Sequence, residues 1–158
     1  MNTTTTFKIE SIGKIKRMNN KAILSINEKY IPGLKQLSHF SHVMVFWWAH
    51  KFDTDEYKNL LQMEPPYAKG NVTGVFASRS PFRPNLIAMT TCPIIKYDEE
   101  NGEIEITGID AFDDTDIIDL KAYFPVCDRV QEAIIPEWLS DWPDWMPEEG
   151  MDLEEYEK

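Results

Sequence analysis

The stretch IIKYDEENGEIEIT, residues 94–107, indicates a β-hairpin. Its two arms, Ile94 to Tyr97 and Glu103 to Thr107, are rich in isoleucine and alternate in polarity, which is typical of strands. The acidic segment between them ends in Asn-Gly, the dipeptide that most strongly favours a tight hairpin turn. The stretch therefore predicts two paired antiparallel strands.

Further strand-like runs lie on both sides of this hairpin. Phe7 to Ile15 alternates apolar and polar positions, and Ala22 to Ile26 is a short second run. The run from His42 to Trp48 is too rich in valine and aromatic residues for a surface helix, and Ile117 to Leu120 is a last extended segment. Many short strands with little helical pattern predict an all-β fold, or a β-rich α+β fold, built as a small closed β-barrel.

The long segment between the run His42–Trp48 and the hairpin breaks the strand pattern. Asp53 to Gly70 is polar and contains prolines, and it allows one short helix at Asp55 to Leu61, capped by Asp53 or Thr54. Residues 71–95 then hold two apolar, strand-like pieces around a polar centre, Ser78 to Asn85. Because the two prolines of this centre lack ladder donors, the centre cannot be regular sheet.

Two arginines in the polar centre suggest a binding site. Arg79 and Arg83 carry planar guanidinium groups that suit carboxylates and phosphates, and Pro81 and Pro84 restrict the conformation of the loop. The pattern favours a pocket for an anion or a zwitterion. It fits equally a rigid corner whose arginines pair with carboxylates, and the candidate partners are Asp110, Asp113 and Asp119.

Length and composition indicate one principal domain with an extension. The chain has 158 residues, of which 42% are hydrophobic, enough apolar side chain to form a core. We expect a barrel domain over residues 1–128 and an acidic, tryptophan-bearing extension over residues 129–158. In that extension Trp138, Trp142 and Trp145 are expected to pack on the barrel or on a partner subunit, while the final acidic residues stay solvated.

Several classes of protein are disfavoured. No apolar run approaches the roughly 20 residues that span a bilayer, and the start MNTTTTFKIE is unlike a secretory signal, so we expect a cytoplasmic protein with no membrane partner. Cys92 and Cys127 lie too far apart for a zinc motif, and the histidines His39, His42 and His50 lack accompanying acids or cysteines. The sequence therefore predicts no metal site.

The distribution of charge decides whether nucleic acid is a possible partner. Of the net charge of −11, residues 137–158 hold −8, which leaves −3 for residues 1–136. A mildly acidic body can still carry a local basic patch. One candidate patch consists of Lys14, Lys16, Arg17 and Lys21, although these residues could instead protect a strand edge.

Three segments resemble motifs of one enzyme family. The segment GVFASRSPFRPNLIAM, Gly74 to Met89, resembles the GVFATRSPxRPNPIG motif of the TrmO-type, S-adenosylmethionine-dependent tRNA methyltransferases. Leu34 to Lys51 is similar to the family's L-x-x-F-S-H strand, and Gly108 to Pro125 is similar to its D-x-x-D-G-T-P-x-x-D-I-K-P-Y-x-P block. The chain is identified as a member of that family over about residues 7–128.

This resemblance implies a fold, a cofactor and an acceptor. Members are small β-barrels, usually dimeric, that methylate the exocyclic nitrogen of threonylcarbamoyladenosine beside the tRNA anticodon. A tRNA partner, a homodimer and S-adenosylmethionine are therefore expected here. The resemblance implies cofactor-binding positions at His50, Lys51, Arg79, Met89, Thr107, Gly108, Ile109 and Asp110. We add Asn85, whose side-chain amide lies in the same loop as Arg79.

Methyl transfer needs orientation more than acid–base groups, but the acceptor nitrogen must still lose a proton. Asp119 and Tyr123 are the candidate catalytic residues, with Lys121 polarising them. The alternative is that Asp119 and Lys121, two apart on one strand face, form an ordinary ion pair.

The chain departs from the family motifs at several turn-setting positions. Residues 85–88 read Asn-Leu-Ile-Ala in place of Asn-Pro-Ile-Gly, and residues 121–123 read Lys-Ala-Tyr in place of Lys-Pro-Tyr. The loop after the first strand is shortened to KRMNNK, Lys16 to Lys21. These differences leave open a divergent paralogue that binds S-adenosylmethionine or a partner without methylating tRNA, or that methylates a small molecule.

Overall fold

The computed structural model describes residues 4–147. Within this range the chain forms two compact units, residues 4–50 with 87–123 and residues 51–86 with 124–147. This division differs from the boundary expected at residue 128. The last barrel strand ends at Ala122, and the Tyr123 N–H donates to the His42 carbonyl at 3.2 Å. The chain leaves the barrel unit after Tyr123.

Between residues 4 and 147 the chain forms eight strands and two short α-helices. The strands are β1 (Gly13–Met18), β2 (Lys21–Ile26), β3 (His42–Trp48), β4 (Gln62–Met63), β5 (Thr73–Gly74), β6 (Ile87–Asp98), β7 (Glu103–Thr107) and β8 (Thr115–Ala122). The helices are α1 (Asp55–Asn59) and α2 (Pro125–Asp128). Short 3-10 turns lie at Glu28–Leu34, Leu37–His39, His50–Phe52, Val75–Ala77 and Glu137–Leu139.

Six of these strands close into an antiparallel barrel, which confirms the predicted fold class. Around the barrel the order is β1, β2, β7, β6, β3 and β8, and β8 pairs again with β1. The predicted hairpin of residues 94–107 supplies β7 and the second half of β6, joined by the Asn101-Gly102 turn with Gly102 at φ +68°. Closure matters because a barrel leaves no unpaired edge among its strands.

The barrel interior is built by the period-2 alternation of its strands. Val43, Val45 and Trp47 of β3 point inward and are buried, whereas their neighbours along the strand are half-buried. Ile104 and Ile106 of β7 follow the same rule. Each such side chain contributes about 1.5–3 kcal/mol of burial free energy, so the alternation that reveals the strands also provides the core.

The buried thiol of Cys92 belongs to this interior. Cys92 lies opposite Val43 and is fully buried. Burial, together with the negative charge of Asp110, raises the pKa of the Cys92 thiol to about 12. The thiol is therefore neutral at physiological pH and acts as a small core hydrophobe.

The predicted first strand is wrong at its beginning. β1 starts at Gly13 rather than at Phe7, and it continues to Met18. The pairing explains the shift, because the registers with β2 and β8 both begin at Gly13, opposite Ile26 and Ile117. Phe7 is 80% exposed, so the apolar alternation upstream of Gly13 builds no core.

The second unit contains the predicted short helix and its cap. Thr54 precedes α1, and its Oγ1 accepts a hydrogen bond from the Tyr57 N–H at 3.3 Å. Phe52, Tyr57 and Phe82 pack together, with the Tyr57 and Phe82 rings stacked at 4.6 Å. The apolar piece expected as a strand after residue 70 pairs only at Thr73–Gly74 and then turns.

The C-terminal segment packs through two of its tryptophans. The rings of Trp138 and Trp142 lie 6.5 Å and 5.1 Å from the ring of Tyr67, which belongs to the same unit. Trp145 is 74% exposed. The single helical turn of this segment is α2, which ends at Asp128. The acidic residues expected to stay solvated, from 148 onward, lie outside the described residues.

Candidate cofactor site

One end of the barrel gathers most of the barrel-unit residues implied for the cofactor. Because the strands are antiparallel, this end holds the C-terminal ends of β1, β3 and β7 and the N-terminal ends of β2, β6 and β8. The loop of residues 108–114 crosses it from β7 to β8. His50 and Met89 also lie at this end, since they adjoin the end of β3 and the start of β6.

The loop of residues 108–114 is held by β1. The Arg17 guanidinium donates to the carbonyls of Ile109 and Ala111, and the Arg17 backbone N–H donates to the Asp113 carboxylate at 2.8 Å. Positive φ angles of +72° at Gly108 and +62° at Asp114 set the turns at the two ends of the loop. Hydrogen bonds from Arg17 thus hold two carbonyls and one carboxylate of the loop.

The lysines of the predicted basic patch take part in the same arrangement. Lys14 lies 3.0 Å from the Asp116 carboxylate, Lys16 bonds the carboxylate of Asp114, and Lys21 bonds Glu105 on the neighbouring strand. Hydrogen bonding from Lys16 lowers the pKa of the Asp114 carboxyl group. The expectation of a basic patch is wrong in this respect: carboxylates neutralise its lysines, while Arg17 ties the loop.

Asp110 is positioned by a short chain of hydrogen bonds. The Thr90 hydroxyl donates to Asp110 Oδ1 at 2.9 Å, and the buried Trp47 Nε1–H donates to the same hydroxyl at 3.2 Å. Thr90 can donate to only one acceptor, so the indole N–H directs the hydroxyl proton toward Asp110. The carboxylate is exposed yet fixed in place, which suits it to bind a donor group on a ligand.

A second buried contact fixes His50. The Thr115 hydroxyl lies 3.2 Å from His50 Nδ1, and Thr115 is fully buried. Nδ1 is thus engaged with the barrel interior, and the half-buried ring is held at the end of β3. Sequence reasoning missed Trp47, Thr90 and Thr115. The two threonines were detectable in principle, because a polar residue at an inward position of a strand needs a hydrogen-bond partner.

Met89 and Asp119 lie on the outer face of the barrel, on either side of β3. Both are paired with Phe46, Met89 from β6 and Asp119 from β8. Asp119 forms an ion pair with Lys121 at 3.1 Å, and the Lys121 ammonium lies 5.8 Å from the Phe46 ring centre. The side chains of Asp119 and Lys121 are 51% and 59% exposed, so the pair contributes about 0–1 kcal/mol.

The two predicted catalytic residues are not brought together. Asp119 and Tyr123 are four residues apart along an extended segment, or about 13 Å at 3.3 Å per residue. Tyr123 lies beyond the C-terminal end of β8, where its ring is 6.1 Å from that of His42. That is the end of the barrel opposite the loop of residues 108–114, so a role for Tyr123 stays a prediction.

The remaining predicted binding residues belong to the second unit. Lys51, Arg79 and Asn85 are all exposed there. Arg83, in contrast, donates to the carbonyls of Val75 and Ser78, at 2.9 and 3.2 Å, and so stabilises its own loop. Arg83 therefore forms a rigid corner, but it does so by donating to backbone carbonyls rather than by pairing with a carboxylate.

Serine hydroxyls complete the turns of this loop. The Ser80 N–H donates to Ser78 Oγ at 3.3 Å, and the Phe82 N–H donates to Ser80 Oγ at 3.1 Å. Two serines and Arg83 therefore shape the backbone of this motif, and Arg79 is an exposed residue within it.

In residues 4–147 there is no group of three His, Cys, Asp or Glu side chains that could hold a metal ion. Over the same range, no helix is both long and apolar enough to span a membrane.

Comparison with known proteins reveals the same relationship over most of the chain. Residues 9–129 match the family model described as the tRNA-methyltransferase O N-terminal domain. A Methanocaldococcus jannaschii protein, named a probable S-adenosyl-L-methionine-binding protein, is 35% identical over 118 residues, which are 74% of this chain and 92% of that protein. The mouse tRNA (adenine(37)-N6)-methyltransferase is 38% identical over 115 residues, which cover 73% of this chain but only 25% of that enzyme.

A solved structure supports the fold. The crystal structure of TrmO from Pseudomonas aeruginosa superposes with a TM-score of 0.66 at 23% identity, covering 87% of this chain and 63% of that one. The family model covers well over half of the chain, and its match includes the barrel and the loop of residues 108–114. The chain therefore belongs to the family defined by the N-terminal domain of tRNA-methyltransferase O.

Proposed function

We propose that this chain is an S-adenosylmethionine-dependent methyltransferase that acts on tRNA, with the exocyclic nitrogen of threonylcarbamoyladenosine beside the anticodon as acceptor. The observation that carries the proposal is the pre-formed loop of residues 108–114, which presents a fixed Asp110 carboxylate. Relatives named as S-adenosyl-L-methionine-binding proteins and as tRNA (adenine(37)-N6)-methyltransferases support it.

Residues that the family resemblance implies for cofactor binding fit the chemistry of this cofactor in each unit taken by itself. In the barrel unit, Asp110 can accept hydrogen bonds from adenine or ribose, and the loop amides from Thr107 to Ile109 can read the same edges. In the second unit, the Arg79 guanidinium suits the carboxylate of the methionine moiety. S-adenosylmethionine, when bound, supplies a methyl group that is transferred as the carbon–sulfur bond breaks and a carbon–nitrogen bond forms.

The chain's own contribution is to orient the reactants and to accept a proton. Good orientation supplies on the order of 7–11 kcal/mol of a barrier, so little acid–base machinery is needed. Asp119 is the candidate acceptor of the proton that leaves the nitrogen, and its carboxylate lies 3.1 Å from the Lys121 ammonium group. Tyr123, at the far end of β8, is the weaker candidate.

The acceptor is tested with labelled cofactor and total tRNA, prepared with or without the threonylcarbamoyl modification. After incubation at low salt, the nucleosides are separated and analysed by mass spectrometry. We expect label only in the modified nucleoside. Label in neither tRNA, while the cofactor still binds, would contradict the tRNA proposal and favour a small-molecule acceptor or binding without catalysis.

A specific observation favours that second candidate function. The lysines near the N-terminus are paired with carboxylates, so few of their charges are available to displace counterions from phosphates. Under the tRNA proposal we therefore expect a modest affinity that falls with salt. Cofactor binding without any tRNA affinity at low salt would identify a binding protein.

We also propose that the protein is a cytoplasmic homodimer. In the C-terminal segment, Val126 is 88% exposed and Ile134 is 97% exposed, and apolar side chains of this kind favour burial against another copy. Light scattering at micromolar concentration is expected to give twice the chain mass of 18.4 kDa. A mass of one chain at that concentration would contradict the dimer.

Replacing Thr90 with valine is expected to weaken S-adenosylmethionine binding by about 1 kcal/mol, roughly fivefold, because Asp110 loses the hydroxyl that holds it. Calorimetric titration measures the change. Thr90→Ser keeps the hydroxyl and should restore the affinity, whereas Thr91→Val on the outer face is the matched control. Equal affinity for the Thr90→Val variant and the wild type would show that Asp110 needs no positioning.

A further inference from the structure

We propose that the second unit carries a separate binding site for a small organic cation of the quaternary ammonium class, formed by Tyr67, Trp138 and Trp142 with Asp141. These residues were absent from the cofactor set implied by the sequence, and the methyl-transfer chemistry does not use them.

The site is a cleft of about 180 Å³ on the surface of the second unit. Its aromatic lining comes from Tyr67 on one segment and from Trp138 and Trp142 on the other. The Tyr67 and Trp142 rings are 5.1 Å apart and inclined at 59°, whereas the Tyr67 and Trp138 rings are 6.5 Å apart and nearly parallel. A group in this cleft therefore meets aromatic surface from more than one direction.

Aromatic faces attract cations because the ring quadrupole places negative charge on the face. Tryptophan is the strongest of the aromatic residues in this respect, and quaternary ammonium groups are the ligands that such clusters bind most typically. Burial raises the pKa of the Tyr67 hydroxyl, so that ring is neutral at physiological pH and serves as an aromatic face.

The charge around the cleft selects the same class of ligand. The Asp141 carboxylate lines it, and residues 124–147 hold five acidic side chains against one arginine. An acidic surface repels phosphate, so a nucleotide is the less favoured occupant even though its base could stack on the rings. Lys69 also lines the cleft, and its positive charge opposes the binding of a cation. Removal of this charge should therefore strengthen the binding.

The size of the cleft limits the ligand. Pockets for drug-sized molecules have volumes of about 300–1,000 Å³, well above this one. A methylated ammonium group fits the smaller volume, and it has no N–H donors that require buried acceptors. The site is thus suited to a trimethylammonium head group on a small molecule or on a modified side chain.

The test compares choline with 3,3-dimethyl-1-butanol, the uncharged molecule of nearly the same shape. Binding to the full chain is followed by tryptophan fluorescence and by the indole N–H signals in NMR spectra. We expect choline to bind at least about tenfold more tightly than its neutral analogue. Equal binding of the two, or no binding of choline, would overturn the proposal.

Single substitutions test which side chains of the cleft bind the cation. Trp142→Leu and Asp141→Asn should each weaken choline binding about threefold to tenfold, whereas Lys69→Gln should strengthen it. Trp145→Leu is the matched control, since this tryptophan lies in the same segment, is 74% exposed and does not line the cleft. The expected effect of that change is none.

A nucleotide arm completes the design. If adenosine monophosphate binds more tightly than choline, and Lys69→Gln weakens that binding, the cleft is a base-stacking site and the proposal fails. If Trp142→Leu does not fold, Asp141→Asn and Lys69→Gln still test the proposal, because they leave every aromatic ring in place. None of these measurements involves S-adenosylmethionine, so their outcome is independent of the proposed methyl transfer.

Discussion

Replacing Gly13 with alanine is expected to lower the free energy of unfolding by about 3 kcal/mol, at the upper end of the range for overpacking. A Cβ atom at this position would lie 2.3 Å from the Ser25 carbonyl oxygen and 3.0 Å from the Ile26 Cα. Both neighbours are backbone atoms, so relief requires β1 and β2 to separate. Gly13 also pairs with Ile117, and the change therefore strains the strand that closes the barrel.

Denaturant unfolding, followed by far-UV circular dichroism, measures this loss. Gly33→Ala is the matched control, because a Cβ there would meet nothing within 4 Å. Gly33 lies in a 3-10 turn, so the control is expected to change stability by less than about 1 kcal/mol. If the two variants are equally stable, the close approach of β1 to β2 is not tight.

The barrel was predictable because apolar and polar residues alternate along its strands in the sequence. His42–Trp48 was predicted with its observed bounds, since its alternation is reinforced by valine and aromatic residues. The Asn-Gly turn fixed the hairpin of residues 94–107 in the same way. Local patterns of this kind specify which residues face the core before any partner strand is known.

Other elements depend on pairing that no local pattern contains. β6 is a single strand of 12 residues that passes through Pro93, where a proline would ordinarily argue against a central strand. Pro93 lies opposite His42, and the Ile94 N–H donates to the Ser41 carbonyl, so the pairing resumes directly after the missing donor. The start of β1 at Gly13 is likewise decided by its two neighbouring strands.

The candidate site was predictable in part, through family resemblance rather than through periodicity. Asp110 and His50 were selected in that way, and the structure fixes each by a threonine hydroxyl. Thr115 is 65 residues from His50 in the chain, and spacing alone gives no reason to join them. The family resemblance thus selected candidate binding residues but not the threonines that position them.

Arg79 is the loop arginine that is proposed to bind the carboxylate of the cofactor. Arg79→Ala is expected to weaken S-adenosylmethionine binding by about 1.5–3 kcal/mol, or roughly 10- to 150-fold, if its guanidinium bonds the carboxylate of the methionine moiety. Calorimetric titration measures the affinity, and thermal unfolding checks that the fold is retained.

Other contacts that shape the loop do not involve the Arg79 side chain. Arg83 holds the carbonyls of Val75 and Ser78, and serine hydroxyls set the turns, so these contacts remain after Arg79→Ala. Arg79→Lys keeps the charge but not the planar fork, and it should recover only part of the affinity. Arg129→Ala, an exposed arginine outside the loop, is the control for a general loss of positive charge. Unchanged affinity in Arg79→Ala would assign this arginine to the framework of the loop, and the carboxylate of the cofactor would then need another partner.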